Sequence, residues 1–130
     1  MANNKGYIRD SQGNMCYTIE DTGWQSLSPY LKNSWSDYGS GYRTSRYRVR
    51  NKEVILEGTL RNGKSSGNRQ ICILPEGLRP TQNINCIIVS GMMESGKSIK
   101  VVVYPSGSIE LQDYDGTSWI ALNGIRFFTD

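Results

Sequence analysis

Arg46-Tyr47-Arg48-Val49-Arg50-Asn51-Lys52-Glu53-Val54-Ile55-Leu56-Glu57 changes character at every step. Successive side chains of a strand point to opposite faces, so Ser45, Tyr47 and Val49 share one face and Arg46, Arg48 and Arg50 the other. Asn51-Lys52 makes a two-residue turn, although Asn-Gly would be the stronger signal. Folding the chain about that turn sets Val49 against Val54 and Tyr47 against Leu56. On the opposite face Arg50 meets Glu53 and Arg46 meets Glu57. One register therefore joins apolar pairs on one side and opposite charges on the other. Arg48 faces Ile55 and has no charge partner in this register.

The same period of two runs on from the hairpin. Its second strand reads as Val54–Leu60. A polar loop at 61–68 leads to a strand over Arg69–Leu74, stopped by Pro75-Glu76-Gly77, with Pro80 closing the turn region. Ile84–Ser90 is apolar nearly throughout and reads as a strand covered on both faces. Ser98–Tyr104 is β-branched and turns back through Pro105-Ser106-Gly107 into Ser108–Leu111. That loop places Val103 opposite Ile109 and Val101 opposite Leu111. After the loop Asp113–Gly116 come strands over Ser118–Leu122 and Ile125–Thr129, separated by the turn signal Asn123-Gly124. Upstream, Pro29 can open a helical turn with Ser28 as its cap. Residues 1–23 are polar and read as a lead-in with at most one short strand. Residues 24–130 then form the domain. Seven or eight short strands joined by turns predict an all-β, antiparallel β-sandwich or jelly roll.

Composition narrows the chemistry. The chain has 130 residues and no histidine. The length suits one domain with its own core. Without histidine, Ser-His-Asp and Cys-His catalysis are excluded, as are imidazole zinc sites. Fifteen Lys and Arg against twelve Asp and Glu give a net charge of +3, well short of the basic field a nucleic-acid binder needs. Cys16, Cys72 and Cys86 are odd in number and far apart, and read as free buried thiols rather than a disulfide framework or metal site. No apolar run approaches the roughly 18 residues that span a bilayer. No secretory signal is visible at residues 1–6.

Several motifs invite a chemical reading. Gly91-Met92-Met93-Glu94-Ser95-Gly96-Lys97-Ser98 fits GxxxxGK[ST] residue for residue. A phosphate-binding loop must open a helix, whose N-terminal amides hold the phosphates. Here the β-branched run Ile99–Val103 follows and Pro105 ends it, so a hairpin loop is expected. Asp113-Tyr114-Asp115-Gly116 looks like the start of a calcium loop but lacks the downstream Glu and the flanking helices, and reads as a turn. Glu57, Glu76, Glu110, Asp113 and Asp115 are the carboxylates a glycosidase could pair, and nothing in their spacing pairs them. The row Arg46, Arg48, Arg50 reads as a solvated face partly neutralised by Glu53 and Glu57. Its alternative use is to hold an anionic polymer. Trp24, Tyr30, Trp35, Tyr38 and Tyr42 crowd the segment before the hairpin. Flat rings stack on sugar faces while nearby polar groups bond the hydroxyls; for any single one of them, packing in the core or at a subunit interface is the competing and more common use. The candidate saccharide-binding residues are therefore Trp35, Asp37, Tyr38, Tyr42, Arg48, Asp113 and Tyr114, with no catalytic residue and no metal ligand. Trp119 reads as core.

Four motifs follow one another in a familiar order: Val54-Ile55-Leu56-Glu57-Gly58, Ile73-Leu74-Pro75-Glu76-Gly77-Leu78-Arg79-Pro80, Val103-Tyr104-Pro105-Ser106-Gly107-Ser108-Ile109 and Trp119-Ile120-Ala121-Leu122-Asn123-Gly124-Ile125. With Trp24 and Asn33-Ser34-Trp35-Ser36 before them, the set over residues 24–129 resembles the C-terminal head domains of tail fibre and baseplate receptor-binding proteins from phages of Gram-positive bacteria. One departure is Asn33-Ser34-Trp35, where Asn-Gly-Trp is common in such domains. The resemblance implies a β-sandwich head, usually a homotrimer, that recognises saccharide or teichoic acid on the host. Its motifs mark the fold and no binding residue is carried over from them.

The expected function is therefore a non-catalytic receptor-binding head with no cofactor. It would sit at the tail tip or fibre of a virion, assembled in the bacterial cytoplasm and working outside it. Its expected partners are a host cell-surface glycan, two further copies of the chain and other tail or baseplate proteins, with no nucleic acid and no membrane insertion. The alternatives are a structural trimerisation or decoration module of a fibre and, behind it, a glycan hydrolase.

Overall fold

The hairpin forms in the expected register. In the computed structural model, which describes residues 4–9, 15–64, 69–92, 95–112 and 119–130, Val49 faces Val54, Tyr47 faces Leu56, Arg50 faces Glu53 and Arg46 faces Glu57. Asn51 and Lys52 both have positive φ, 52° and 69°. Such a turn matches the twist of the strands it joins, which is why Asn is welcome at its first position.

Thirteen strands lie among the described residues: β1 (Asn4–Arg9), β2 (Met15–Asp21), β3 (Gln25–Ser26), β4 (Ser36–Asp37), β5 (Arg46–Arg50), β6 (Glu53–Glu57), β7 (Thr59–Arg61), β8 (Gln70–Ile73), β9 (Ile84–Met92), β10 (Ser95–Val103), β11 (Ser108–Leu111), β12 (Trp119–Ala121) and β13 (Arg126–Phe128). They build two antiparallel sheets. One runs β1-β2-β5-β6-β13 with β3 also on β5; the other runs β4-β7-β12-β9-β10-β11-β8. The fold is an all-β antiparallel sandwich. One 3-10 turn, Ser28–Tyr30, has Pro29 in its first positions as expected, but Leu27 holds the cap position without a side-chain bond. No helix among the described residues is long and apolar enough to cross a membrane.

The core is a single cluster fed by both sheets. Tyr47, Val54, Leu56 and Phe127 come from the first sheet and Leu60, Ile71, Ile88, Ile99, Val101, Val103, Ile109, Leu111 and Ile120 from the second. These positions alternate along their strands, the pattern of a sheet with one face on a core. Val103 pairs with Ile109 and Val101 with Leu111, as the Pro105–Gly107 loop predicts.

Three expectations are corrected. Val54–Leu60 is not one strand. The chain changes sheets at Gly58, whose φ of +126° is closed to other residues, and a Cβ there would lie 2.5 Å from Ser45 Cα. Asn123-Gly124, between β12 and β13, is another of the crossings between the sheets. The two crossings are tied together, because Leu122 N–H donates to Gly58 O at 2.7 Å and Gly58 N–H to Asn123 Oδ1 at 3.2 Å. Next, residues 1–23 hold two strands rather than at most one. β1 pairs with β2, and Asp21 of β2 pairs with Arg50 of β5. Backbone pairing extends the sheet where apolar content is too low to announce a strand. Finally, β9 is covered on one face only. Cys86, Ile88 and Ser90 are buried while Ile87 and Val89 are 61% and 47% exposed.

Candidate functional site

The sharpest sequence motif dissolves first. Gly91 and Met92 close β9 and Ser95–Ser98 open β10, paired from Ser95 with Met92 through to Val103 with Ile84, and no helix opens at Ser98; Met93 and Glu94 lie outside the described residues. Gly91 is needed for packing, because a Cβ there would fall inside the Trp119 ring. Trp119 is correspondingly half-buried outside the core; Ile120, the next residue, points inward. Asp113–Gly116 lies outside the described residues. Among those described, no three His, Cys, Asp or Glu side chains converge on a possible metal site.

Of the seven expected binding residues, three come to one surface. β4 is only Ser36–Asp37, paired with β7, and the chain then turns so that Tyr42 N–H donates to Gly39 O at 3.0 Å. This carries Tyr42, 58% exposed, back onto Tyr38, the rings meeting edge to face with centroids 5.2 Å apart. Arg61 of β7 lies over the Tyr38 ring at 5.2 Å. Arg43, next to Tyr42, reaches Glu57 at 3.6 Å, and Glu57 also takes Arg46 at 2.6 Å. The Arg46 guanidinium stacks on Trp24 at 3.8 Å and Arg48 approaches the same ring at 5.8 Å. The result is a band of rings and guanidiniums from Arg61 through Tyr38, Tyr42 and Glu57 to Trp24 and Arg48.

Arg48 is not without a partner. Its guanidinium grips both oxygens of Asp21, the last residue of β2. Register within the hairpin could not reveal this, since the partner comes from another strand. The Arg48 hydrogen bonds, then the Gly23 amide, hold the Asp21 carboxyl down at about 2, against an ordinary value of 3.8. Glu53 pairs with Arg126 of β13, where the hairpin register alone suggested Arg50. Charge on this face is thus largely neutralised, and the arginine row is a set of ion pairs on and around an aromatic ring.

Trp35 and Asp37 have other work. Trp35 is 5% exposed, and a Cβ on Gly63 would fall inside its ring. It is a core residue, which corrects the expectation that it meets ligand. Asp37 accepts from Ser45 N–H at 2.8 Å and from Ser28 Oγ at 3.0 Å, bracing the turn that carries Tyr38. Asp113 and Tyr114 lie outside the described residues. Sequence reasoning missed Arg61 and Asp21, and the missing signal in both cases was strand pairing at long range. Of the carboxylates a glycosidase could pair, Glu57 is engaged by two arginines and Glu110 by Ser108 Oγ at 2.8 Å.

The four motifs that carry the resemblance act as structural joints. Leu74 N–H donates to Gly107 O at 2.8 Å and Leu74 O accepts from Arg79 Nε at 2.9 Å, so the second and third motifs meet. The Gly58 and Asn123 crossing joins the first and fourth. No family model matches the chain, and no curated protein matches it. Among solved structures it is similar to the receptor binding protein (gp15) of Listeria phage PSA, with a TM-score of 0.56 and 16% sequence identity. The likeness covers 86% of this chain and 66% of that one, just under two thirds of the latter's length. At this identity the two chains share a fold.

Proposed function

We propose that this chain is the receptor-binding head of a phage tail protein, and that it recognises a host cell-surface saccharide during adsorption without catalysis. The observation that carries the reading is the shared fold with a phage receptor binding protein over 86% of the chain. The exposed band supports it further. Tyr42 and Tyr38 offer rings for the C–H faces of sugars, and Arg61 and Arg43 offer donors for their hydroxyls. Because Arg46 and Arg48 are already paired, the band suits a wall polysaccharide better than a densely charged teichoic acid. On this reading the protein works at the tail tip or fibre of the virion, beside other tail or baseplate proteins.

The head would act as a homotrimer, so that weak single-site affinity is multiplied by several copies. The exposed β-branched pair Ile87 and Val89 on β9 is the face we assign to the contact between copies, since apolar side chains in the middle of a sheet gain most from cover. That same face favours a second reading, a structural module that trimerises or caps a fibre. A glycan and cell-wall binding screen of the purified domain, with its mass measured by light scattering, separates them. Saccharide binding by a trimer supports the head. A trimer that binds no wall material supports the structural module. Release of reducing ends from the polysaccharide would sink both.

A further inference from the structure

The dipeptide Asn-Gly occurs twice, at Asn62-Gly63 and Asn123-Gly124. Asparagine before glycine is a chemically weak point, because no Cβ hinders the glycine nitrogen on its way to the asparagine Cγ. The fold sets the two copies apart. Asn123-Gly124 lies between Leu122 and Ile125, both fully buried. Asn123 Oδ1 accepts from Gly58 N–H at 3.2 Å, and Gly124 packs so closely that a Cβ there would lie 2.8 Å from Ile87 O. Asn62 is exposed, just past the end of β7, with a φ of +69°. Its side chain donates to Ser36 Oγ at 3.2 Å, a bond open to solvent. Among the described residues nothing accepts from the Gly63 N–H.

We propose that Asn62 is a site of spontaneous covalent modification, reacting in the folded chain while Asn123 is protected. The Gly63 nitrogen bonds to Asn62 Cγ as the Cγ–Nδ2 bond breaks. The Gly63 amide proton leaves with Nδ2 as ammonia, and a five-membered imide remains. Solvent water opens the imide at either carbonyl. Opening at Cγ gives aspartate. Opening at the main-chain carbonyl gives a β-aspartyl link, in which Cβ joins the main chain. Either product lowers the net charge of +3 by one. Position gives the second product its effect. Gly63 lies against the Trp35 ring, where a Cβ would come within 1.8 Å of Cε2. Lys64 N–H donates to Asn33 O at 3.1 Å, and Ser36 pairs with Arg61, so the chain on both sides of Asn62 is tied to the segment that holds Trp35. A β-aspartyl link inserts about 1.5 Å of chain between those ties. It moves Gly63 off the ring or breaks the Lys64 bond, and either change loosens Trp35 and the pairing of β4 with β7. The edge that carries Tyr38 therefore ages in one direction.

Peptide mapping by mass spectrometry tests this on the whole chain aged in mildly alkaline buffer, with and without denaturing urea, using fragmentation that separates aspartyl from β-aspartyl products. In the folded chain Asn62 should convert at least about tenfold faster than Asn123, since a tied segment reacts only through local opening. In urea the two should convert at comparable rates. Aged chain with the β-aspartyl link should unfold at lower urea than fresh chain. The Asn62→Asp variant, which has the charge without the link, should keep the fresh midpoint. Equal conversion of the two asparagines in the folded chain, or an intact Asn62 in folded chain while the urea-unfolded chain converts, would overturn the site. An unchanged midpoint in aged chain, or an equal loss in Asn62→Asp, would overturn the role given to the link.

Discussion

The guanidinium carbon of Arg46 lies 3.8 Å from the centroid of the Trp24 ring, so a residue of the first clear strand rests on one that precedes it by more than twenty positions. Arg46 is also held by Glu57. Trp24 thus orders two guanidiniums rather than offering an open ring. Trp24→Ala should cost about 1 kcal/mol through the stacking alone, read from urea unfolding, with Trp24→Phe recovering most of it. Equal stability of wild type and Trp24→Ala would show that the stack contributes nothing.

The band separates residues that carry the surface from those that carry the fold. Tyr42→Ala should change unfolding free energy by no more than about 0.5 kcal/mol, as expected for an exposed side chain. Trp35→Ala should cost about 3–5 kcal/mol, because it empties a core position against Gly63. Chemical denaturation of the two variants side by side checks this. Similar losses in both would contradict the placement of the two rings.

Asp21 makes stability depend on acid. Its folded pKa is depressed from 3.8 to about 2, chiefly by Arg48. A depressed carboxyl contributes stability that is fully present above its unfolded pKa and is lost as pH falls through the folded one. The difference in thermal midpoint between wild type and Asp21→Asn should therefore be constant above about pH 5 and shrink between about pH 4 and 2. A difference that does not change across that window would mean that the Arg48 pair does not form.

Backbone conformation gives a pair of opposite effects. Gly58→Ala should cost about 3 kcal/mol or more, since a Cβ meets Ser45 Cα at 2.5 Å and φ is +126°. Ser34 has a φ of +68°, at the position where the resembled domains carry glycine. Ser34→Gly should stabilise by about 0.5–1 kcal/mol by relieving the left-handed strain. Calorimetric midpoints moving down for the first and up for the second are the expected outcome.

What could be read before folding was whatever depends on neighbours in the chain. The Tyr47–Leu56 and Val103–Ile109 pairings follow from a period of two and a short turn, and both are found. What could not be read depends on partners brought from afar. Gly58 looked like a residue inside a strand, because only the second sheet makes its φ necessary. Arg48 lacked a partner because Asp21 comes from a segment of low apolar content. Trp35 is buried and Trp119 half-buried, the reverse of the expectation, although each ring lies against a glycine, Gly63 or Gly91. Ile84–Ser90 read as doubly covered from its apolar content alone, and Ile87 and Val89 remain exposed. That face carries the proposal of contact between copies. Of the binding residues, Tyr38 and Tyr42 meet edge to face and Arg48 lies by Trp24, and the position of the first two is visible only once β4 is paired with β7.

On the proposed function, the Tyr38–Tyr42 pair touches a host saccharide. Its most direct measurement is the binding of the purified domain to isolated host wall polysaccharide, with wild type and Tyr42→Ala compared at equal fold stability and equal mass in solution. Wild type should bind clearly and the variant should lose about tenfold or more, the worth of one stacked ring on the order of 1.4 kcal/mol. Equal binding by the two proteins would contradict it.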